Sequence, residues 1–165
     1  MESNFELDLN EFIDPPVSMI GNEHSANQKC ERFIAFYFGL GLYCVRAEVV
    51  AEVIHALPVA VLPNSPRGIS GITAIRGEVI AVLNLKELVN EEGGAGHAKS
   101  KMVVLRSPEN QTQFAIPADR MHEVVMLPES VIDCANTLVT QVEHEGGFYK
   151  IIDTKMLYAE IAAHI

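Results

Sequence analysis

The chain has 165 residues, 48% of them apolar, and a formal net charge of −10, which suits one domain or two small packed subdomains. This acidity argues against binding to nucleic acid or to an anionic membrane surface, because both need clustered lysine and arginine. The longest apolar segments are far shorter than a membrane-spanning helix, so we expect no direct membrane insertion. Three widely spaced cysteines and an acidic start without a signal-peptide pattern predict a reduced, cytoplasmic protein.

Residues 1–29 differ in composition from the rest of the chain. They carry six acidic side chains against Lys29 alone, and Pro15 and Pro16 interrupt any helix that begins over residues 4–13. Short acidic segments of this kind rarely fold alone. We therefore predict an acidic, disordered tail over 1–29, with one short amphipathic element, and a folded domain over 30–165.

Strand patterns dominate the folded part of the chain. In chain order, the pattern first predicts strands at 33–38 and 42–45, a short turn or helix leading into a strand over 46–54, and a proline-rich loop or edge over 57–66. It then predicts a hairpin of 69–75 and 79–83, a helix over 85–89 capped by Asn84, and a flexible linker over 91–100. After the linker it predicts a hairpin of 102–106 and 113–116, a strand near 123–127, a hairpin of 138–143 and 148–152, and a helix over 154–163 capped by Asp153.

The second half of this series repeats the first. The matching pairs, in chain order, are Glu52-Val53 with Glu123-Val124, Asn84 with Asp153, Lys86 with Lys155, and Leu88 with Leu157. Four pairs at nearly constant spacing, with matching hairpins, indicate a duplicated β-subdomain of about seventy residues. We predict two units, at roughly 33–90 and 101–165, each a small barrel or curled sheet that ends in a short helix.

The first unit contains the clearest hairpin, whose two apolar runs flank Arg76, Gly77 and Glu78. A glycine in so short a link tolerates the positive φ that tight hairpin turns need. Arg76 is the lone cation in an otherwise uncharged run from 68 to 77. On this argument alone, Arg76 is either presented to a partner or placed in the turn for solubility, and neither interpretation is favoured.

No catalytic, metal or cofactor motif is complete. The segment 93–100 has the spacing of a phosphate-binding loop, but Ala98 replaces the second glycine and a predicted helix precedes it rather than follows. His122-Glu123 and His144-Glu145 each begin a zinc-protease pattern that lacks its second histidine. We therefore expect a protein without enzymatic activity and without a metal or cofactor.

A series of short motifs resembles the CheW-like domain, the coupling adaptor of bacterial chemosensory arrays. In order, they are Leu62-Pro63, Pro66, Gly71-Ile72, Arg76-Gly77, Val79-Ile80 and Val82-Leu83-Asn84-Leu85, with weaker agreement at Glu52-Val53, Pro117-Ala118-Asp119 and Ile152-Asp153. The resemblance runs from about residue 31 to the last residue. It implies two intertwined SH3-like five-stranded β-barrels with short helices, and no catalysis.

The resemblance also implies the partners and the site. A protein of this family couples the cytoplasmic tip of a methyl-accepting chemoreceptor to the regulatory domain of a CheA-type histidine kinase, and packs with other CheW-like domains in rings. By position, the receptor groove would include Val50, Glu52, Arg76 and Gly77, with an ion pair between Glu52 and Arg76. Kinase contacts would lie near Ile72, Val79, Ile80 and Val82.

Two residues depart from the family pattern. Ala74 stands where the family usually has asparagine, two residues before the arginine, and Asn84 stands where it usually has aspartate. Asn84 can still cap a helix, whereas Ala74 removes a polar group beside the expected receptor site. The alternative function is a regulatory CheW-like module of another two-component pathway, such as a pilus system, or a detached piece of a larger signalling protein.

Overall fold

The computed structural model describes residues 28–90, 100–132 and 137–163. Most of the predicted acidic tail, most of the predicted linker over 91–100, and Cys134 lie outside these ranges. Within them the chain is mostly β, as predicted, with ten strands and two α-helices. The elements are β1 (Cys30–Phe38), β2 (Gly41–Arg46), β3 (Val50–His55), β4 (Ile69–Ile75), β5 (Glu78–Leu83), α1 (Leu85–Val89), β6 (Lys101–Arg106), β7 (Gln113–Ala118), β8 (Arg120–Pro128), β9 (Val139–His144), β10 (Gly147–Ile152) and α2 (Thr154–Ala162).

The strands form two five-stranded sheets with matching orders. The first sheet runs β8-β1-β2-β10-β9, and the second runs β3-β6-β7-β5-β4. Each strand of one sheet has its counterpart, five strands away in the chain, at the same place in the other sheet. The pairs β2–β10 and β5–β7 are parallel, and the remaining neighbours are antiparallel. In neither sheet do the two end strands pair with each other, so the described residues form SH3-like curled sheets rather than closed barrels.

The two sequence units do not coincide with the two sheets. The unit at 33–90 gives β1 and β2 to the first sheet and β3, β4 and β5 to the second. The unit at 101–165 gives β6 and β7 to the second sheet and β8, β9 and β10 to the first. Each repeat is therefore divided between the sheets, and the sheets are intertwined.

Three apolar clusters hold this arrangement together. One lies inside the first sheet and includes Phe33, Cys44 and Ile151, and another lies inside the second and includes Ile80 and Met102. The third and largest takes buried side chains from β1, β2, β6 and β7 together with α1 and α2. Because the central strands carry buried residues on both faces, their sequences read as nearly continuous apolar runs.

Both helices begin at the predicted caps. The amide of Glu87 donates to Oδ1 of Asn84 at 3.4 Å, and the amides of Lys155 and Met156 donate to Oδ1 of Asp153 at 3.0 and 3.1 Å. These side chains satisfy amides that lack partners inside a helix.

The proline-rich segment between β3 and β4 covers the edge of the second sheet. The amide of Ala60 donates to the carbonyl of Ile72, and the amide of Ile72 donates back to Ala60, at 2.8 and 2.9 Å. Thr73 adds a bond from its hydroxyl to the carbonyl of Pro58 at 2.9 Å. A side chain at Gly71 would lie against the backbone of Ala60, so the absence of a Cβ permits this close approach. The segment blunts an edge that could otherwise pair with another chain.

Candidate partner-binding surface

The turn between β4 and β5 is the tight hairpin turn that the sequence predicts. Arg76 and Gly77 both have positive φ, 51° and 83°, which is the backbone that a two-residue type I′ turn requires. A Cβ at Gly77 would meet no atom within 4 Å, so the backbone conformation, rather than crowding, explains the glycine. The Arg76 side chain is 79% exposed.

Glu52 forms the predicted ion pair with Arg76. Nη2 of Arg76 lies 2.8 Å from Oε2 of Glu52, whose side chain is only 21% exposed. Glu52 lies on β3, at one edge of the second sheet, and the turn joins β4, at the other edge, to β5. The curl of the sheet brings them together, and the ion pair spans the gap between the edges. An exposed pair of this kind contributes at most about 1 kcal/mol to stability, but it holds the guanidinium in one orientation.

The other two residues expected in the receptor groove flank this pair. Gly77 follows Arg76 in the turn. Val50 begins β3, two residues before Glu52, and its half-buried side chain packs against the core cluster shared by the two sheets. A register irregularity in the β3–β6 pairing falls between Val50 and Glu52. The structure therefore brings Glu52, Arg76 and Gly77 together and places Val50 further along β3.

The residues expected to contact the kinase divide into surface and core. Val79 is 70% exposed and Ile72 is half-buried, whereas Ile80 and Val82 are 2% and 0% exposed. The alternation of β5 turns residues 80 and 82 into the cluster inside the second sheet. This burial corrects the expectation for Ile80 and Val82, because a partner cannot touch side chains that fill the core.

Ala74 makes this surface more apolar than the family pattern predicts. It is exposed and lies opposite Val79 in the antiparallel register of β4 and β5. A methyl group and an isopropyl group thus lie side by side near the arginine turn. Val53 on β3 is also exposed, although the sequence assigned it no role in binding. Val124, at the matching position of the second unit, is exposed as well.

The second unit repeats the turn with the opposite charge. Glu145 and Gly146, which correspond to Arg76 and Gly77 in the repeat, have φ values of 49° and 77°. Glu123 takes the place of Glu52, so both positions are acidic and the ion pair is not repeated. Burial is the main cause that raises the pKa of Tyr149, and the nearby carboxylates of Glu123 and Glu145 add to it.

Two further properties concern the described residues as a whole. Within 28–90, 100–132 and 137–163, no three side chains of histidine, cysteine, aspartate or glutamate are placed to hold a metal ion. In the same part of the chain, no helix has both the length and the apolar character needed to cross a membrane.

Comparison with known proteins identifies the family. The model of the CheW-like domain matches residues 32–158, most of the chain, and the chain therefore belongs to the CheW-like domain family. Among solved structures, the scaffolding protein TtCheW from Thermoanaerobacter tengcongensis has a similar fold, with a TM-score of 0.64 at 20% sequence identity over 80% of this chain and 90% of that one. No curated protein matches the sequence significantly.

Proposed function

We propose that this protein is a non-enzymatic cytoplasmic adaptor that couples the cytoplasmic tip of a chemoreceptor to a CheA-type histidine kinase. Membership of the CheW-like domain family supports this proposal, as does the likeness of the fold to a protein described as a scaffold. The single observation that carries it is the arginine turn, where Arg76 is both exposed and braced by Glu52 at 2.8 Å.

The receptor surface consists of Arg76, Gly77, Glu52 and Val50. A rigid turn loses little conformational entropy when a partner orders it, so a preorganised arginine binds more tightly than a mobile one. The planar guanidinium suits bidentate contacts with carboxylate groups or backbone carbonyls on a receptor helix. Glu52 fixes one side of the guanidinium and leaves its other donors available.

The kinase surface is the outer face of the β4–β5 hairpin, with Val79 and Ile72 as its apolar contacts. Exposed apolar residues that cluster on one face of a sheet are typical of interaction sites. Other CheW-like domains are further partners in rings. Because the two surfaces lie on the same hairpin, a receptor bound at the turn and a kinase bound at the strands are held close together.

Coupling requires more than simultaneous binding. A receptor changes kinase activity through this adaptor only if the complex binds the active and inactive states of the kinase with different affinities. The adaptor is then a rigid link whose contacts differ between the two states.

The experiment that tests the proposal is reconstitution of receptor, kinase and this protein in vitro, with kinase autophosphorylation as the readout. We expect the adaptor to change phosphorylation only when a receptor is present. Unchanged phosphorylation in the complete mixture, across the receptors encoded with this protein, would contradict the function.

A further inference from the structure

A cleft of about 530 Å³ opens beside α2. Its walls are α2, the turn between β6 and β7, and the segment that joins β2 to β3. Its exposed apolar lining residues are Pro108, Ala159 and Ala162, whereas Val49, Ile151 and Ile152 are buried in the core behind it. This volume lies in the range of sites that hold small molecules or short peptide segments. No residue of the proposed receptor surface lines the cleft.

The matching junction in the other half of the molecule uses its acidic residue differently. There Asp119, the counterpart of Glu48 in the repeat, accepts a hydrogen bond from the amide of Gly39 at 2.7 Å and ties the β1–β2 turn down. Glu48, by contrast, lines the cleft and has no hydrogen-bond or ion-pair partner among the described residues. The repeat therefore builds the same junction twice, and only one copy leaves its carboxylate unpaired among the described residues.

The free charges of the cleft are mainly negative. Glu48 and Glu109 lie on different walls, and neither carboxylate is paired within the described ranges. Arg46 is neutralised by Glu31, with Nε and Oε2 3.0 Å apart, and the Asp153 carboxylate is engaged in capping α2. Lys155 remains as the single unpaired cation among the described lining residues. This balance favours a ligand that carries a positive charge.

Tyr158 supplies a second signal. It lines the cleft, and its buried hydroxyl has no hydrogen-bond partner among the described residues. Its ring packs on Phe114, with centroids 5.3 Å apart. A phenylalanine ring could make the same contact, so this packing does not explain why the residue carries a hydroxyl. At the matching position in the first unit, Val89 has no hydroxyl. Buried hydroxyls are nearly always bonded, and burial raises the pKa of Tyr158 to about 12, so the group stays a donor at neutral pH.

We propose that this cleft binds a short peptide segment of a partner protein that carries one basic side chain between apolar ones. The basic group pairs with Glu48 and Glu109, the apolar side chains pack on the exposed Pro108 and Ala159, and a backbone carbonyl accepts a hydrogen bond from Tyr158. This surface is separate from the receptor surface and adds a further contact to the adaptor.

Binding is measured by isothermal titration with the full chain and two capped pentapeptides, acetyl-Ala-Leu-Lys-Leu-Ala-amide and the same peptide with glutamate for lysine. We expect the lysine peptide to bind with a Kd near or below about 1 mM and the glutamate peptide not to bind. The double variant Glu48→Gln and Glu109→Gln should weaken the lysine peptide about tenfold or more, because it removes both charge-assisted contacts. Glu143→Gln makes the same change at an exposed residue of β9, outside the cleft, and should leave the affinity unchanged.

Two more variants separate binding from folding. Ala162→Trp, at the exposed end of α2, should fill the cleft and abolish binding. Tyr158→Phe should weaken binding several-fold while the melting temperature of the free protein stays the same or rises, because the lost hydroxyl has no partner to leave unsatisfied.

The proposal is overturned if the lysine peptide does not bind, if both peptides bind equally, or if the glutamine variants bind as the unchanged protein does. All of these variants should retain receptor-tip binding, so failure at the cleft is distinct from failure of the adaptor function.

Discussion

Arg76 and Glu145 occupy equivalent places in the hairpin turns of the two repeats, with nearly the same left-handed backbone and opposite charge. In the first unit Arg76 forms an attractive pair with Glu52 at 2.8 Å. In the second unit the residue that matches Glu52 is Glu123, so both matching positions are acidic and the attractive pair is not repeated. The duplicated fold thus presents two turns of the same shape that a partner can distinguish by charge.

Reversing the charge at the first turn should separate binding from stability. We expect Arg76→Glu to lower affinity for the receptor tip about tenfold or more, because a charge reversal at an interface both removes an attraction and adds a repulsion. The free energy of unfolding should change by no more than about 1 kcal/mol, since the pair is exposed. Surface plasmon resonance and urea unfolding give the two values.

The matched control for this change is Arg67→Glu, which makes the same charge reversal on the exposed loop before β4. It should leave receptor affinity nearly unchanged. Equal losses for the two variants would mean that net charge, rather than the position of Arg76, sets the affinity.

Neighbouring residues of β5 should respond in opposite ways to an introduced carboxylate. Val79→Asp should fold normally and weaken the kinase complex, because residue 79 is exposed. Ile80→Asp should prevent folding or destabilise the chain severely, since it buries a charge in the core of the second sheet. Circular dichroism and a kinase pull-down distinguish the two effects. A folded Val79→Asp variant that binds the kinase fully would rule out this face as the contact.

Two glycines of the same hairpin should differ in their tolerance of a methyl group. Gly77→Ala should cost about 1 kcal/mol, because alanine is strained at positive φ but meets no neighbouring atom. Gly71→Ala should cost more, roughly 1–3 kcal/mol, because its Cβ would press on the backbone of Ala60. Displacing that segment should also expose the β4 edge and increase aggregation.

The comparison is made by urea unfolding together with light scattering at the same protein concentration. Equal costs at the two positions, or a larger cost at Gly77, would contradict the role given to the edge-covering segment.

Alkaline pH should destabilise the protein through buried groups that must stay protonated. Burial raises the pKa of Cys44 from 9.0 to about 12, so above pH 9 the unfolded chain loses a proton that the folded chain keeps. This stability is fully present below pH 9 and falls by roughly 1.4 kcal/mol per pH unit for one such group as the pH rises toward 12. Urea midpoints measured between pH 8 and 11 should show the decline.

The variant Cys44→Ala isolates this effect. The matching position in the second unit is Ala115, which is fully buried, so the fold accommodates alanine there. We expect the variant to be less stable at pH 8 and to lose less stability than the unchanged protein between pH 9 and 11. If the stability of the two proteins falls by the same amount between pH 9 and 11, the alkaline loss of stability is due to groups other than Cys44.

Local features were predictable from sequence wherever a short-range cause decides them. The turn at Arg76 and Gly77 and the caps at Asn84 and Asp153 depend on residues that are close neighbours in the chain. The regular spacing of the repeat likewise survives in the sequence, because equivalent turns and caps need the same residue types.

The division of each repeat between the two sheets cannot be predicted from local sequence patterns. It depends on the parallel pairing of β10 with β2 and of β7 with β5, which joins strands distant in the chain. The burial of Ile80 and Val82 was not predicted, because a run made entirely of apolar residues gives no pattern that shows which side chains face the core. The contact between Glu52 and Arg76 came from family resemblance, since the curl that joins the sheet edges has no sequence signal.

The exchange of strands between the sheets has a consequence for how the chain can be divided. A cut within residues 91–99 separates the two repeats, yet each fragment holds two strands of one sheet and three of the other and completes neither. Each fragment would expose one side of the large shared cluster and lack part of both smaller clusters. The two halves should therefore be unfolded when separate and regain structure only when mixed. The chain could then be used as a split protein, whose reassembly shows that both repeats are present.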